Sequence, residues 1–317
     1  MSKKIFFVLL NILVIAFTVI LCSRQLIGKE IEKAGYKITN INIYKDTPVW
    51  ELALAVKDQD TKVIEKIAKE NPDLLNYQDP GYGATLLLWS VGMEKYKSAE
   101  ALLKCGSDPD IASTSEGETP LFRASGFSWI DNEAKKDPKY VKLLLYYGAN
   151  PNKNYIGSDG PGIKTVIEPG TSPLMNSIIC GIEKTKALVG SGADLNYKTK
   201  RGETAAKIAL GMGSNSTLKG LQYAHYLIVE KKANITEPYY RRASYGNEDP
   251  NEKFYPVSIL RNWIYPLGSE KYKIKMEIVK EFERQGVNYR DTKINKYTLK
   301  HIKKLYPKTW KEYIEKY

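Results

Sequence analysis

Side chains able to do acid–base or metal chemistry are scarce in this sequence. Its two histidines, His225 and His301, lie 76 positions apart. Neither has a carboxylate or thiol at local ligand spacing, so both are expected to be structural. Gly157-Ser158-Asp159-Gly160-Pro161-Gly162-Ile163-Lys164 has the glycine content of a phosphate loop. It lacks the Gly-Lys-Ser/Thr ending, however, and Pro161 removes an N–H that such a loop would use. A turn-rich finger fits it better. No Gly-x-Ser-x-Gly elbow and no His-Glu-x-x-His helix occur. Asn215-Ser216-Thr217 and Asn234-Ile235-Thr236 match the glycosylation pattern, which matters only in a eukaryotic secretory pathway. No catalytic residue, metal site or cofactor is expected, and the remaining chemistry is recognition.

For recognition the chain is well supplied. Twenty-three tyrosines are unusually many, and aromatic rings with arginine make the anchors of binding hot spots. The candidate partner-binding residues are Tyr82, Trp129, Asp131, Tyr155, Asp159 and Arg201, with the cluster Tyr239-Tyr240-Arg241-Arg242. Tyrosine also fills cores and caps, so position must decide among them.

The elements that carry these residues recur. A Thr-Pro-Leu-like start is followed by a small residue five positions on, then by a Leu-Leu-x-x-Gly-Ala-like end. The cleanest copy runs from Gly117-Glu118-Thr119-Pro120-Leu121-Phe122-Arg123-Ala124 to Leu144-Leu145-Tyr146-Tyr147-Gly148-Ala149-Asn150-Pro151-Asn152. Flanking copies start at Thr85-Leu86-Leu87 and Ser172-Pro173-Leu174, and weaker ones at Thr47-Pro48-Val49 and Thr204-Ala205-Ala206. Threonine opens a helix as a cap, and proline suits the first turn, where its missing N–H is not needed. Small Ser90, Ala124, Ser177 and Ala209 let paired helices approach. Gly106, Gly148 and Gly192 stop the second helix in a left-handed cap, and Asp or Asn then suits the turn into the next unit.

This pattern resembles the ankyrin repeat over about residues 45–236. The resemblance implies an all-α solenoid of helix-turn-helix units with extended hairpin fingers and a helical C-terminal cap. It also implies a concave surface that binds a protein partner. The family's usual His after Thr-Pro-Leu is replaced by Trp50, Leu88, Phe122, Met175 and Lys207, which predicts looser bracing of the turns. Two repeats separate Cys105 from Cys180, about 20 Å at ordinary helix spacing and beyond disulfide reach. Both are expected to be free thiols near helix ends.

Departures from the period are informative. Successive starts are spaced 38, 34, 53 and 32 residues apart, against about 33 for the family. One insertion falls between the third unit's helices, around Phe127-Ser128-Trp129-Ile130-Asp131-Asn132. Another, Tyr155 to Gly162, is expected to project as a long finger, and a third runs from Gly211 to Gly220. Beyond Pro238 the pattern decays to a degenerate pair, Pro256–Trp263 and Tyr272–Phe282, and a terminal helix from about Lys296 to Tyr317. Net charge is +12, and residues 252–317 hold 16 Lys/Arg against 8 Asp/Glu. That asymmetry fits an acidic partner, anionic lipid or a solvated cap face, with nucleic acid least favoured.

The N-terminus points to a membrane. Lys3 and Lys4 precede Ile5 to Cys22, in which only Asn11 and Thr18 are polar, just enough to span a bilayer core. An uncleaved signal anchor is favoured, because the run exceeds an ordinary signal h-region and no A-x-A-like site closes it. A lipoprotein signal ending at Cys22 and a buried helix stay open. The expected division is 1–28 anchor or signal, 29–44 linker, 45–237 repeats and 238–317 degenerate repeat with basic cap. A short anchor before an exported ankyrin stack is similar to bacterial envelope proteins that include immunity proteins of type VI secretion effectors such as phospholipases. The alternative is an envelope scaffold or adaptor without inhibitory role. An enzyme is disfavoured.

Overall fold

The computed structural model describes residues 35–157, 167–213, 218–240, 249 and 251–317. Among these residues the chain is all-α, with fourteen α-helices and no strand. Two isolated bridges, Gln78 with Thr85 and Tyr239 with Phe254, are the β-type pairings found among the described residues. The chain forms two compact units. One takes its described residues from Met1–Glu133 and Lys139–Glu168, the other from Ala134–Pro138 and Pro169–Tyr317.

The first unit contains α1 (Trp50–Asp58), α2 (Thr61–Glu70), α3 (Leu86–Gly92), α4 (Tyr96–Lys104), α5 (Pro120–Ser125) and α6 (Lys139–Tyr146). Consecutive helices pair, and α1, α3 and α5 stack on one another as do α2, α4 and α6. Each pair thus buries apolar surface that a lone pair would leave in water. Threonine caps begin two of the leading helices: Thr85 accepts from Leu88 N–H at 3.2 Å and Thr119 from Phe122 N–H at 3.1 Å. Thr47 does not cap α1. Its hydroxyl donates to Tyr44 O at 2.6 Å, closing a 3-10 turn over Ile41–Tyr44, and α1 starts three residues later. Ile43 and Tyr44 are buried, and Tyr44 donates to Ala84 O at 3.1 Å. Folded structure therefore reaches into the stretch read as linker.

The second unit holds α7 (Pro173–Ser177), α8 (Ile182–Gly190), α9 (Ala205–Gly213), α10 (Leu218–Ala224), α11 (Pro256–Leu260), α12 (Glu270–Arg284), α13 (Lys296–Leu305) and α14 (Trp310–Lys316). Ser172 caps α7 by accepting from Met175 N–H at 3.1 Å, and Thr204 accepts from Lys207 N–H at 3.1 Å. At the other end of the second helices, Gly106, Gly148 and Gly192 have φ of +100°, +87° and +86°, the left-handed stop that a side chain disfavours. Ser177 Oγ lies 2.8 Å from Leu174 O and 2.8 Å from Thr185 Oγ1, so the small residue knits α7 to α8. Cys180 is buried and Cys105 half-buried, both free.

Two details differ from the sequence reading. Residues 225–230 continue α10 as a π-helix. The terminal helix is broken in two, because Pro307 has no N–H to give and pushes Tyr306 out of helical geometry, to φ −127° and ψ 61°. Part of the third insertion, residues 214–217, lies outside the described residues, as do the apolar run from Ile5 to Cys22 and most of the 155–162 finger. No helix among the described residues is long and apolar enough to cross a membrane.

Candidate functional site

The most built feature of the first unit surrounds the insertion between α5 and α6. Arg123, on α5, is its hub. Its guanidinium donates from Nε to Glu118 Oε2 at 2.8 Å and from Nη2 to Glu118 Oε1, and from Nη1 to Phe127 O at 3.0 Å. The Trp129 ring lies over the same guanidinium at 4.9 Å. Only a planar donor fork can serve a buried carboxylate, a loop carbonyl and an aromatic face together.

The insertion is also fastened to the preceding helix pair. Ser128 Oγ donates to Glu94 Oε1 at 2.6 Å, and the Trp129 ring lies so close over Gly92 that a Cβ there would come within 2.1 Å of it. Asp131 accepts from Glu133 N–H at 3.0 Å, and Ser128 N–H donates to Glu133 O at 2.9 Å, closing the loop on itself. What this bracing presents outward is apolar. Phe127 is 39% and Ile130 56% exposed.

The expected site residues therefore separate. Trp129 and Asp131 sit on the braced insertion, Trp129 half-buried as a brace and Asp131 exposed. Tyr82 is half-buried and donates to Tyr36 O at 2.8 Å. Tyr155 is not an outward anchor. It is buried and stacks on Phe122 with centroids 5.1 Å apart, because Ile156 folds back onto Gly117, its N–H donating to Gly117 O at 3.3 Å. Desolvation, then Glu118 and Glu116, push its phenol pKa up. Ile156, beside it, is 64% exposed and was not among the candidates.

In the second unit Tyr239 is buried, paired main chain to main chain with Phe254 and covered by Lys207 Nζ at 4.2 Å from the ring centroid. It also is packing rather than surface. Tyr240 N–H donates to Arg201 O at 2.8 Å, which joins those two half-buried residues. Asp159, Arg241 and Arg242 lie outside the described residues.

His225 is less isolated than its local spacing implies. His225 has carboxylate companions on two elements, with Nε2 2.7 Å from Glu277 Oε2 on α12 and Nδ1 3.2 Å from Glu230 Oε1. The first partner is remote in sequence and comes close only because the π-helix packs on α12. At one turn where the missing repeat histidine predicts looser bracing, other groups hold the chain. Asp79 accepts from Gly81, Tyr82 and Ala84 N–H at 2.9, 2.8 and 2.7 Å, and burial still raises its pKa. Gln78 Nε2 ties Gly83 O to Ala112 O at 2.6 and 2.9 Å.

Cys180 is not set up for covalent chemistry. Desolvation pushes the Cys180 thiol up to about 11, with Lys184 opposing, so it is a poor nucleophile near neutrality. Among the described residues, no group of three or more His, Cys, Asp or Glu is placed to hold a metal ion. No protein-family model and no curated protein matches the chain.

Proposed function

We propose that this chain is a protein-binding module of the ankyrin type, held at the bacterial inner membrane through residues 5–22 or through lipidation of Cys22. Its partner is an antibacterial effector enzyme of type VI secretion, such as a phospholipase. The chain acts as the immunity protein, covering the effector's active site or substrate entry in the periplasm. One observation carries the binding role: the insertion around Phe127–Asn132 is fastened to Arg123 and to Glu94 yet holds Phe127 and Ile130 in solvent. An exposed apolar pair on a braced loop offers area that a partner can bury, and a rigid loop loses little entropy on docking. The stacked, capped helix pairs support the ankyrin reading, and the N-terminal apolar run supports the tether.

The test is capture of partners by the detergent-extracted full chain from lysate and secreted proteins of its own cell. A single stoichiometric protein that is toxic when expressed alone in the envelope is expected. Its binding should weaken at least about tenfold in Phe127→Ala and Ile130→Asp, the loss typical of a hot-spot contact. Tyr155→Phe should leave binding unchanged. Several weakly held envelope proteins, none of them toxic, would remove immunity in favour of a scaffold.

A further inference from the structure

The C-terminal helices α13 and α14 carry a surface of a different chemical character from the apolar insertion. Within α13 there is no acidic residue. At about 100° per residue, Lys296, Lys300, Lys303 and Lys304 fall on one face, and all four are exposed. The opposite face carries Thr298 and Ile302, the helix's buried side chains. Ile302 joins Tyr313 and Tyr317 in a core that α14 completes. The cationic face is thus fixed outward by its own helix period.

Two properties separate it from an ordinary solvated lysine face. Its charge is not neutralised internally. Lys296, Lys300, Lys303 and Lys304, with Lys308 and Lys311 just beyond, have no carboxylate partner among the described residues, and the pair in this hairpin is Lys316 with Glu312 at 2.8 Å. Apolar and aromatic groups are interleaved with the ammonium groups. Lys303 Nζ lies 4.4 Å and Lys311 Nζ 5.8 Å from the Trp310 ring centroid, and Lys296 Nζ lies 5.1 Å from that of Tyr297. Tyr297 is 69% and Leu305 50% exposed.

From this juxtaposition we infer that the α13–α14 hairpin is a peripheral docking face for an anionic phospholipid surface. Phosphate-bearing headgroups complement unpaired ammonium groups, and each lysine near such a surface is worth about a fivefold gain in partition. Tyrosine and tryptophan sit at the headgroup level, where one end of the ring is wet and the other apolar. Lysine stems lie along apolar surface while their charges stay in the headgroups. A helix of this length, about 15 Å, lies in the interface rather than crossing it. Nucleic acid is the less favoured polyanion for a chain proposed to be tethered at a membrane.

The full chain is incorporated in vesicles of phosphatidylcholine alone or with about 30% phosphatidylglycerol, and its lysines are acetylated briefly and mapped. Because an apolar N-terminal segment would hold the chain on both vesicles, protection of individual lysines, rather than sedimentation, reports the face. On anionic vesicles the four α13 lysines should react at least about fivefold more slowly than on zwitterionic ones. Lys66 of α2, also exposed, should not change, and salt at about 0.5 M should abolish the difference. In Lys300→Glu/Lys303→Glu/Lys304→Glu, with unchanged thermal midpoint, Lys296 and Lys308 should lose their protection. Equal α13 rates on both vesicles would overturn the inference. So would equal slowing at Lys66, or protection given only by added polyglutamate, which would assign the face to an acidic protein.

Discussion

The backbone N–H of Asn150 donates to Asp110 Oδ1 at 3.0 Å across two successive connecting turns. One helix pair earlier, Asp108 N–H donates to Asn76 Oδ1 at 2.8 Å. In the second unit Asn234 N–H donates to Asn196 Oδ1 at 2.8 Å. Each turn also closes on itself, as where Asn150 Oδ1 accepts from Asn152 N–H at 2.9 Å. The Asp and Asn residues at these turns therefore do two things. They shape the local turn, and they register one helix pair on the next.

Removing one rung should be felt. Asp110→Ala leaves the Asn150 N–H without its acceptor, and should cost about 1 kcal/mol of unfolding free energy. Asp110→Asn keeps an acceptor oxygen and should stay within about 0.5 kcal/mol of the wild type. Denaturant midpoints with unchanged slope would show it. Equal midpoints for the two variants would deny the rung any role.

Arg123, on α5, should be the residue on which the insertion depends most. Glu118 is 3% exposed, so Arg123→Met strands a buried carboxylate, a loss of about 3–5 kcal/mol. Arg123→Lys keeps the charge but not the fork, and should fall between Arg123→Met and the wild type. Adding Glu118→Gln to Arg123→Met should recover part of the loss, since the amide carries no charge to bury. Thermal unfolding of the four proteins tests this. A double variant no better than Arg123→Met would mean that loop contacts, not the ion pair, dominate.

Lys275 gives the pH signature. It is fully buried on α12, donates to Trp263 O at 2.8 Å and lies 3.6 Å from the Tyr317 ring centroid. Carbonyl and ring favour the ammonium. Burial outweighs them and, with the charges of Arg261 and Arg290, pulls the pKa well below 10.5. In the unfolded chain the proton stays on up to about 10.5. Between the lowered folded value and that limit the unfolded state holds more protons, so stability rises with pH and is lost as pH falls through the window. Above 10.0 the buried phenol of Tyr289, itself pushed up, works in the opposite sense. Lys275→Met should therefore flatten the rise in urea midpoint between neutrality and the phenol range. Parallel slopes in the two proteins would refute the assignment.

How much of this was legible depends on the range of the interaction. The caps at Thr85, Thr119 and Ser172, and the stops at Gly106, Gly148 and Gly192, are settled within four residues by backbone valences, and the sequence pattern carries them. The insertion after α5 shows as a broken period. Tyr155 was misplaced because its burial depends on Phe122, distant in the chain, and a tyrosine looks the same in a core as on a finger. His225 needed Glu277 from α12, which no local spacing reveals. Arg123 and Glu118, five positions apart, are close enough in the sequence to be read as a pair, and Pro307 marks the break between α13 and α14.

Ile179 supplies a last prediction, because its backbone and side chain disagree. It follows α7 with φ +75°, a left-handed conformation that a β-branched residue adopts at a cost of about 1–2 kcal/mol. The corresponding turns after α1 and α3 place unbranched Gln59 and Glu94 at φ +58° and +56°. The side chain regains little by packing, being 43% exposed. Ile179→Asn fits left-handed geometry and should raise stability by about 1 kcal/mol, and Ile179→Gly by somewhat less, since glycine also loosens the unfolded chain. Unfolding midpoints give the sign directly. If both variants are less stable than the wild type, packing of Ile179 against its neighbours exceeds the backbone strain. If both are more stable, a strained apolar side chain has been kept in solvent against the interest of the fold. Affinity of Ile179→Asn for the captured partner would then show whether that side chain takes part in binding.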